Sequence, residues 1–293
     1  MPLLIVLYPI AIFLGSFLLF LIEPIVGKRL LPLLGGSSAV WVTCLVFFQV
    51  ALLLGYACAH WVATRLRPRS QAFAYTLLLL AGISQGLLAV SPQLHASTSH
   101  PILSVFGLLT LLIGAPFLVL SATNPLLQSW YSNVFAEAGS VNNLASPYRL
   151  FALSNFGSLL ALVIYPWLVE PRFTLRTQTL VWLVAFCAFA IACMAIMWIG
   201  PSRVADGLSH QQNEPIRSTP PGVREKFLWV LLPACGSLLF CAVTNHLSQN
   251  IAAIPLLWIL PLTAYLLSFV VAFSRGPWYP RLFATRVPVL AGI

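Results

Sequence analysis

Seven side chains stand out as able to do chemistry: Glu23, Asn124, Gln128, Asn155, Asn245, His246 and Gln249. Glu23 closes the first apolar run and is followed by Pro24. A carboxylate at membrane depth is costly and usually has a purpose, which makes it a candidate proton or cation site. The alternative is an interfacial carboxylate neutralised by Lys28 and Arg29. The amides and the imidazole fall in a repeated pattern. Thr123-Asn124-x-Leu126-x-Gln128 returns 121 positions later as Thr244-Asn245-x-Leu247-x-Gln249, His246 standing where Pro125 does. Such groups can line a polar cavity where a membrane helix unwinds. They can equally bond headgroups or neighbouring helices. Asn155 lies deeper, in Ser154-Asn155-Phe156-Gly157-Ser158, where the small residues Gly157 and Ala161 suit close helix packing. Gly35-Gly36-Ser37-Ser38 supplies an N-cap for the next helix, and its free N–H groups are also suited to an anion.

Other chemistry has little to stand on. His60, His95 and His100 lack the spacing of a metal site on a helix. No nucleophile elbow, Walker loop or dinucleotide-binding glycine pattern occurs, and the one aspartate is Asp206. No catalytic residue, metal or cofactor is implied. Cys44, Cys58, Cys187, Cys193, Cys235 and Cys241 all lie in apolar runs, where cysteine behaves as a small hydrophobe.

The elements that must position these groups are set by composition. The chain is 60% hydrophobic and 7% charged, against about 25% charged in soluble domains. Runs of 18 or more apolar residues fit transmembrane helices, and the absence of alternating ten-residue segments excludes a β-barrel. The expected fold is all-α, a polytopic transmembrane bundle of about eight spans near 3–22, 39–63, 72–90, 102–120, 150–168, 180–199, 227–243 and 254–273. A further apolar run, 287–293, reads as the start of a ninth helix. The net charge of +9 is spread over short inter-helix segments with no aromatic-interleaved basic face, which argues against a nucleic-acid partner. Eleven Lys and Arg residues fall in the even loops and four in the odd loops, Lys28, Arg29, Arg172 and Arg176. The positive-inside rule then places the N-terminus in the cytoplasm of a cell-membrane protein. Trp41, Trp61, Trp130, Trp167, Trp198, Trp229 and Trp278 suit an interfacial aromatic belt. A polar stretch, 200–226, reads as a flexible cytoplasmic linker between a first six-helix unit, 1–199, and the beginning of a second, 227–293.

Spans four and seven cross in opposite senses, so the two Thr-Asn-x-Leu-x-Gln segments belong to inverted copies. Spans one, four and seven would each open a three-helix unit, as in major-facilitator transporters. Glu23-Pro24, Gly27-Lys28, Leu31-Pro32-Leu33-Leu34-Gly35-Gly36, Ala39-Val40-Trp41, Phe47-Phe48-Gln49, Asn124-Pro125-Leu126-Leu127-Gln128-Ser129-Trp130, Pro147-Tyr148, Ala152 to Ser158, Glu170-Pro171 and Pro255 to Leu262 together resemble a bacterial family. That family fuses a major-facilitator-like membrane region to a C-terminal spermidine-synthase-like domain. The resemblance implies aminopropyl transfer only for a longer parent, since these 293 residues hold no nucleotide-binding loop. Three functions are then open. The chain is a transporter-like region moving a small solute, a non-transporting anchor or scaffold for an attached transferase-like domain, or a device presenting a lipid-embedded or translocated substrate to it.

Overall fold

A computed structural model describes residues 2–35, 37–90, 101–137, 147–199, 222–250, 257 and 259–273. The described residues form α1 (Pro2–Leu34), α2 (Ser38–Arg65), α3 (Pro68–Leu88), α4 (Pro101–Glu137), α5 (Pro147–Ile164), α6 (Leu175–Ile199), α7 (Val223–Asn250) and α8 (Ile259–Phe273). A π turn, Tyr165–Val169, and one short helical turn, Glu170–Arg172, extend α5. No strand occurs among the described residues. Among the described residues seven helices are long and apolar enough to cross a membrane, and α8 is a shorter apolar helix. The protein is an all-α, multi-pass membrane bundle.

Two predicted helix ends are not ends. The first run was expected to stop at Ile22, but α1 continues through Pro24 and Pro32 to Leu34. The fourth was expected to stop at Leu120, but α4 runs through Pro116 and Pro125 to Glu137. A proline removes one donor and crowds the carbonyl four residues back, and in lipid such helices persist because neighbours satisfy what the proline frees. At 33 and 37 residues, α1 and α4 are about 50 and 55 Å long. Most of the linker (200–221), the start of the last predicted span (254–256), Trp278 and the run 287–293 lie outside the described residues.

Helix α1 packs against α4, α5 and α6, while α4 packs against α1, α2 and α3. Exchanging α1 with α4, α2 with α5 and α3 with α6 maps this packing onto itself. The α2–α4 pair becomes α5–α1, the α3–α4 pair becomes α6–α1, and α1–α4 and α3–α6 map to themselves. Tyr8 meets Tyr131 edge to face at 5.4 Å, and Asn124 bonds Ser16, so α1 and α4 are antiparallel. The two three-helix units are therefore inverted relative to each other. Helix α7 lies against α2, and α8 against α5 and α7.

Small residues permit the tight pairs. A Cβ on Gly55 of α2 would overlap Ser121 Oγ of α4, and one on Gly157 of α5 would lie 2.8 Å from the Phe13 carbonyl oxygen of α1. Ala161, one turn on from Gly157, is fully buried. The tryptophans divide: Trp61, Trp167, Trp198 and Trp229 are exposed, as a belt requires, whereas Trp41 is buried and Trp130 partly so.

Candidate functional site

The axis of the bundle is the α1–α4 seam, and two of the sequence candidates lie on it. Glu23 is 5% exposed. It sits inside the apolar segment Val6–Leu34 and not at a helix end. Lys28 and Arg29 do not neutralise it. Lys28 Nζ pairs with Glu170 Oε1 at 2.5 Å. Arg29 donates to the Ala89 carbonyl at the end of α3 and, at 2.8 Å, to Thr179 Oγ1 on α6. Among the described residues no hydrogen bond or ion pair reaches the Glu23 carboxylate. These partners also explain why α1 outlasts its predicted end: the two cations are held by other helices and need no loop.

Asn124 lies across the seam. Its Nδ2 donates to Ser16 Oγ at 2.7 Å, and Ser16 Oγ donates to the Ile12 carbonyl at 2.9 Å. Its Oδ1 is buried without a partner. Ser16 and Glu23 are seven residues apart, which puts them on one face of α1 about 10 Å apart along the axis. The Tyr8–Tyr131 and Ser16–Asn124 contacts set an antiparallel register that brings Glu23 level with the turn of α4 around Phe117. Phe117 stacks on Phe48 of α2 at 5.5 Å. One turn beyond Glu23, Gly27 lies under the ring of Trp41, whose buried indole N–H has no partner. The buried atoms without a partner here are Asn124 Oδ1 and, near the end of the stripe, the Trp41 indole N–H, with the Glu23 carboxyl between them. Acceptors buried in apolar surroundings suit a proton, a cation or a ligand rich in N–H or O–H groups.

The remaining candidates are not brought to this seam. Gln128 is partly buried one turn beyond Asn124 on α4. Asn155 is satisfied within its own helix, its Nδ2 donating to the Phe151 carbonyl at 2.8 Å. Asn245 accepts from Gln249 at 3.1 Å, and His246 bonds Asn250 at 2.8 Å, all within the last turns of α7. The repeated Thr-Asn-x-Leu-x-Gln pattern thus occupies two settings. In α4 its asparagine bonds across to another helix; in α7 it bonds along its own. Neither segment is unwound, since α4 and α7 are continuous through both. Ser37 does cap α2, its hydroxyl accepting from the Val40 N–H.

Two devices were not visible in the sequence reading. Gln85 of α3 inserts into the backbone ladder of α4 just before Pro116. Its Nε2 donates to the carbonyls of Thr110 and Leu111 at 2.6 and 2.7 Å, and its Oε1 accepts from the Ala115 N–H at 2.6 Å. An amide in an otherwise apolar span, facing Gly114-Ala115-Pro116, was the available signal. The second is a duplicated turn. Gln71, at the start of α3, donates to the Leu66 carbonyl at 2.9 Å, and Gln178, at the start of α6, donates to the Phe173 carbonyl at 2.8 Å. Leu66 N–H bonds Val62 O, and Phe173 N–H bonds Val169 O. The sequences match as Arg65-Leu66-x-x-Arg69-Ser70-Gln71 and Arg172-Phe173-x-x-Arg176-Thr177-Gln178, 107 positions apart.

A cavity of about 10 Å³ lies between α1, α3, α4 and α6 beside Arg29, Thr179 and Trp182, about the room one water needs. Among the described residues no group of three or more His, Cys, Asp or Glu could hold a metal. Comparison with family models, curated proteins and solved structures finds no match to this chain.

Proposed function

We propose that this is a transporter-like membrane region that moves or presents a small solute along the α1–α4 seam, with Glu23 as its proton or cation site. The observation that carries the reading is Glu23 itself: a buried carboxylate inside the apolar segment of the central helix, its neighbouring cations committed elsewhere. Retaining a charge-capable group there without a partner costs stability, which favours a role in binding. The inverted three-helix units support a major-facilitator-like arrangement, in which sites lie near mid-membrane between repeats. Arg65, Arg67, Arg69, Arg224 and Lys226 then mark the cytoplasmic face, with the N-terminus and the 200–226 segment on that side. With Lys28 and Arg29 committed to α1 contacts, the opposite face keeps only Arg172 and Arg176 among the four odd-loop cations.

In a longer parent, a spermidine-synthase-like domain would take up or supply the solute, as the family resemblance suggests. The competing reading is a non-transporting anchor for that domain. Purified protein in liposomes, offered a panel of radiolabelled small cations and amino compounds under an imposed pH gradient, separates the two. The transport reading expects uptake of at least one compound, lost in Glu23→Gln and reduced in Asn124→Leu. Uptake of none, or uptake indifferent to Glu23→Gln, leaves the anchor reading.

A further inference from the structure

The duplicated turn supplies an internal control for one strongly charged patch. At the α2–α3 turn, Arg65, Arg67 and Arg69 are all exposed within five residues, and Trp61, one turn before Arg65, is 56% exposed. None of the three guanidiniums makes a hydrogen bond or ion pair among the described residues. The frame of this turn is closed without them. Leu66 O and Ala63 O accept from Gln71, Trp130 donates to Gln71 Oε1 at 2.9 Å, and Leu66 N–H bonds Val62 O. At the copied turn the charges are fewer and partly used. Arg172 reaches the Trp167 carbonyl at 3.5 Å, Arg176 stands where Arg69 does, Thr174 replaces Arg67, and Glu170 is held by Lys28 two residues away.

We infer that the Arg65–Arg67–Arg69 patch is a docking surface for anionic phospholipid headgroups. The argument is one of placement and complementarity. The cations end an apolar helix, so they lie where headgroup phosphates lie. Guanidinium forks match phosphate oxygens in pairs. The exposed Trp61 ring sits at the depth of the glycerol region, where amphipathic aromatics anchor. Turn geometry does not explain Arg67, because the copy keeps the same backbone bonds with threonine at that position.

Electron spin resonance of the protein in phosphatidylcholine bilayers, with spin-labelled phosphatidylglycerol or phosphatidylcholine as probe, tests this. Wild type should enrich phosphatidylglycerol at its surface, by up to about fivefold per basic residue engaged, and the enrichment should fall with salt. The triple variant R65Q/R67Q/R69Q should lose most of it, while R172Q/R176Q, altered at the copied turn, should keep most of it. Circular dichroism of both variants reports whether each remains folded. If the first triple variant unfolds, R67T alone, which copies the residue of the other turn, should still lower the enrichment. Absence of phosphatidylglycerol preference in wild type, equal loss in both variants, or displacement of the lipid by millimolar inorganic phosphate overturns the inference.

Discussion

The turn between α2 and α3 and the turn between α5 and α6 share a frame and differ in what surrounds it. In each, a glutamine in the first turn of the following helix bonds the carbonyl of an extended apolar residue, Leu66 or Phe173. At the first turn the glutamine also accepts from the indole of Trp130 on α4. At the second it accepts from Tyr165 at 3.3 Å, and α1 is tied in by charge, through Lys28 to Glu170 and Arg29 to Thr179. Arg29 and Trp130 play matching parts: each projects from the long helix of its own unit onto the first turn of the last helix in the other unit. One end of the bundle is thus joined by neutral hydrogen bonds and leaves its arginines free. The other end uses Lys28 and Arg29 internally and keeps Arg172 and Arg176 exposed. The lesson is that the inverted copies preserve packing and turn frame while charge is free to diverge, and Glu23 on α1, with Asn124 on α4, belongs to the part that diverged.

Substitutions that break the frame should cost most. Gln85→Leu leaves two carbonyls and one N–H of α4 without their side-chain partner beside Pro116, where α6 gives α1 the Trp182 indole bond to the Leu18 carbonyl at 2.9 Å. Each orphaned group costs about 1–3 kcal/mol, so thermal unfolding in detergent should show a loss of roughly 3 kcal/mol or more. A loss under 1 kcal/mol would mean that α4 closes its own ladder without Gln85.

The tight pairs come next. Gly55→Ala and Gly157→Ala should each cost about 1–3 kcal/mol through overpacking. Ser121→Ala should partly rescue the first, because the nearest obstacle to a Cβ at position 55 is the Ser121 hydroxyl. No side-chain change on α1 should rescue the second, where the obstacle is the Phe13 carbonyl. Equal rescue at both would contradict the distinction between a side-chain and a backbone contact.

Smaller effects should separate the two turns directly. Gln71→Ala and Gln178→Ala should each cost about 0.5–1.5 kcal/mol, and Gln71→Ala should also red-shift or broaden tryptophan emission as Trp130 loses its acceptor. Glu170→Gln should cost at most about 1 kcal/mol, because both ends of its pair with Lys28 are partly exposed. The double exchange Lys28→Glu with Glu170→Lys should restore that loss. Failure of the exchange would show that α1 is held there by Arg29 alone.

The apolar runs made the spans legible, because lipid leaves a chain of this composition no other fold. Helices α3 and α6 begin within about five residues of their predicted starts. The course of α1 past Ile22 was hidden because Lys28 and Arg29 look like loop charges. Their partners Glu170 and Thr179 are about 150 residues away and come from other helices, beyond the reach of local pattern. The sequence left Asn124 open between lining a polar cavity and bonding headgroups or a neighbouring helix, and its partner Ser16 carries no signal, since a serine in an apolar helix ordinarily bonds its own backbone. The 107-residue copy is faint in the sequence because its matched residues are two arginines, a serine–threonine pair and a glutamine in a short turn.

Whether water or solute reaches Glu23 decides between a route and a plain anchor. In a chain whose six cysteines, all free, are replaced by alanine, Glu23→Cys in sealed vesicles is exposed to a membrane-impermeant cationic thiol reagent from either face. Leu109→Cys, at a fully buried position of α4, serves as the reference for a sealed interior. The transport reading predicts that Glu23→Cys is modified from at least one face many times faster than Leu109→Cys. Modification as slow as at position 109 from both faces would contradict it and leave Glu23 as a carboxylate sealed within a membrane anchor.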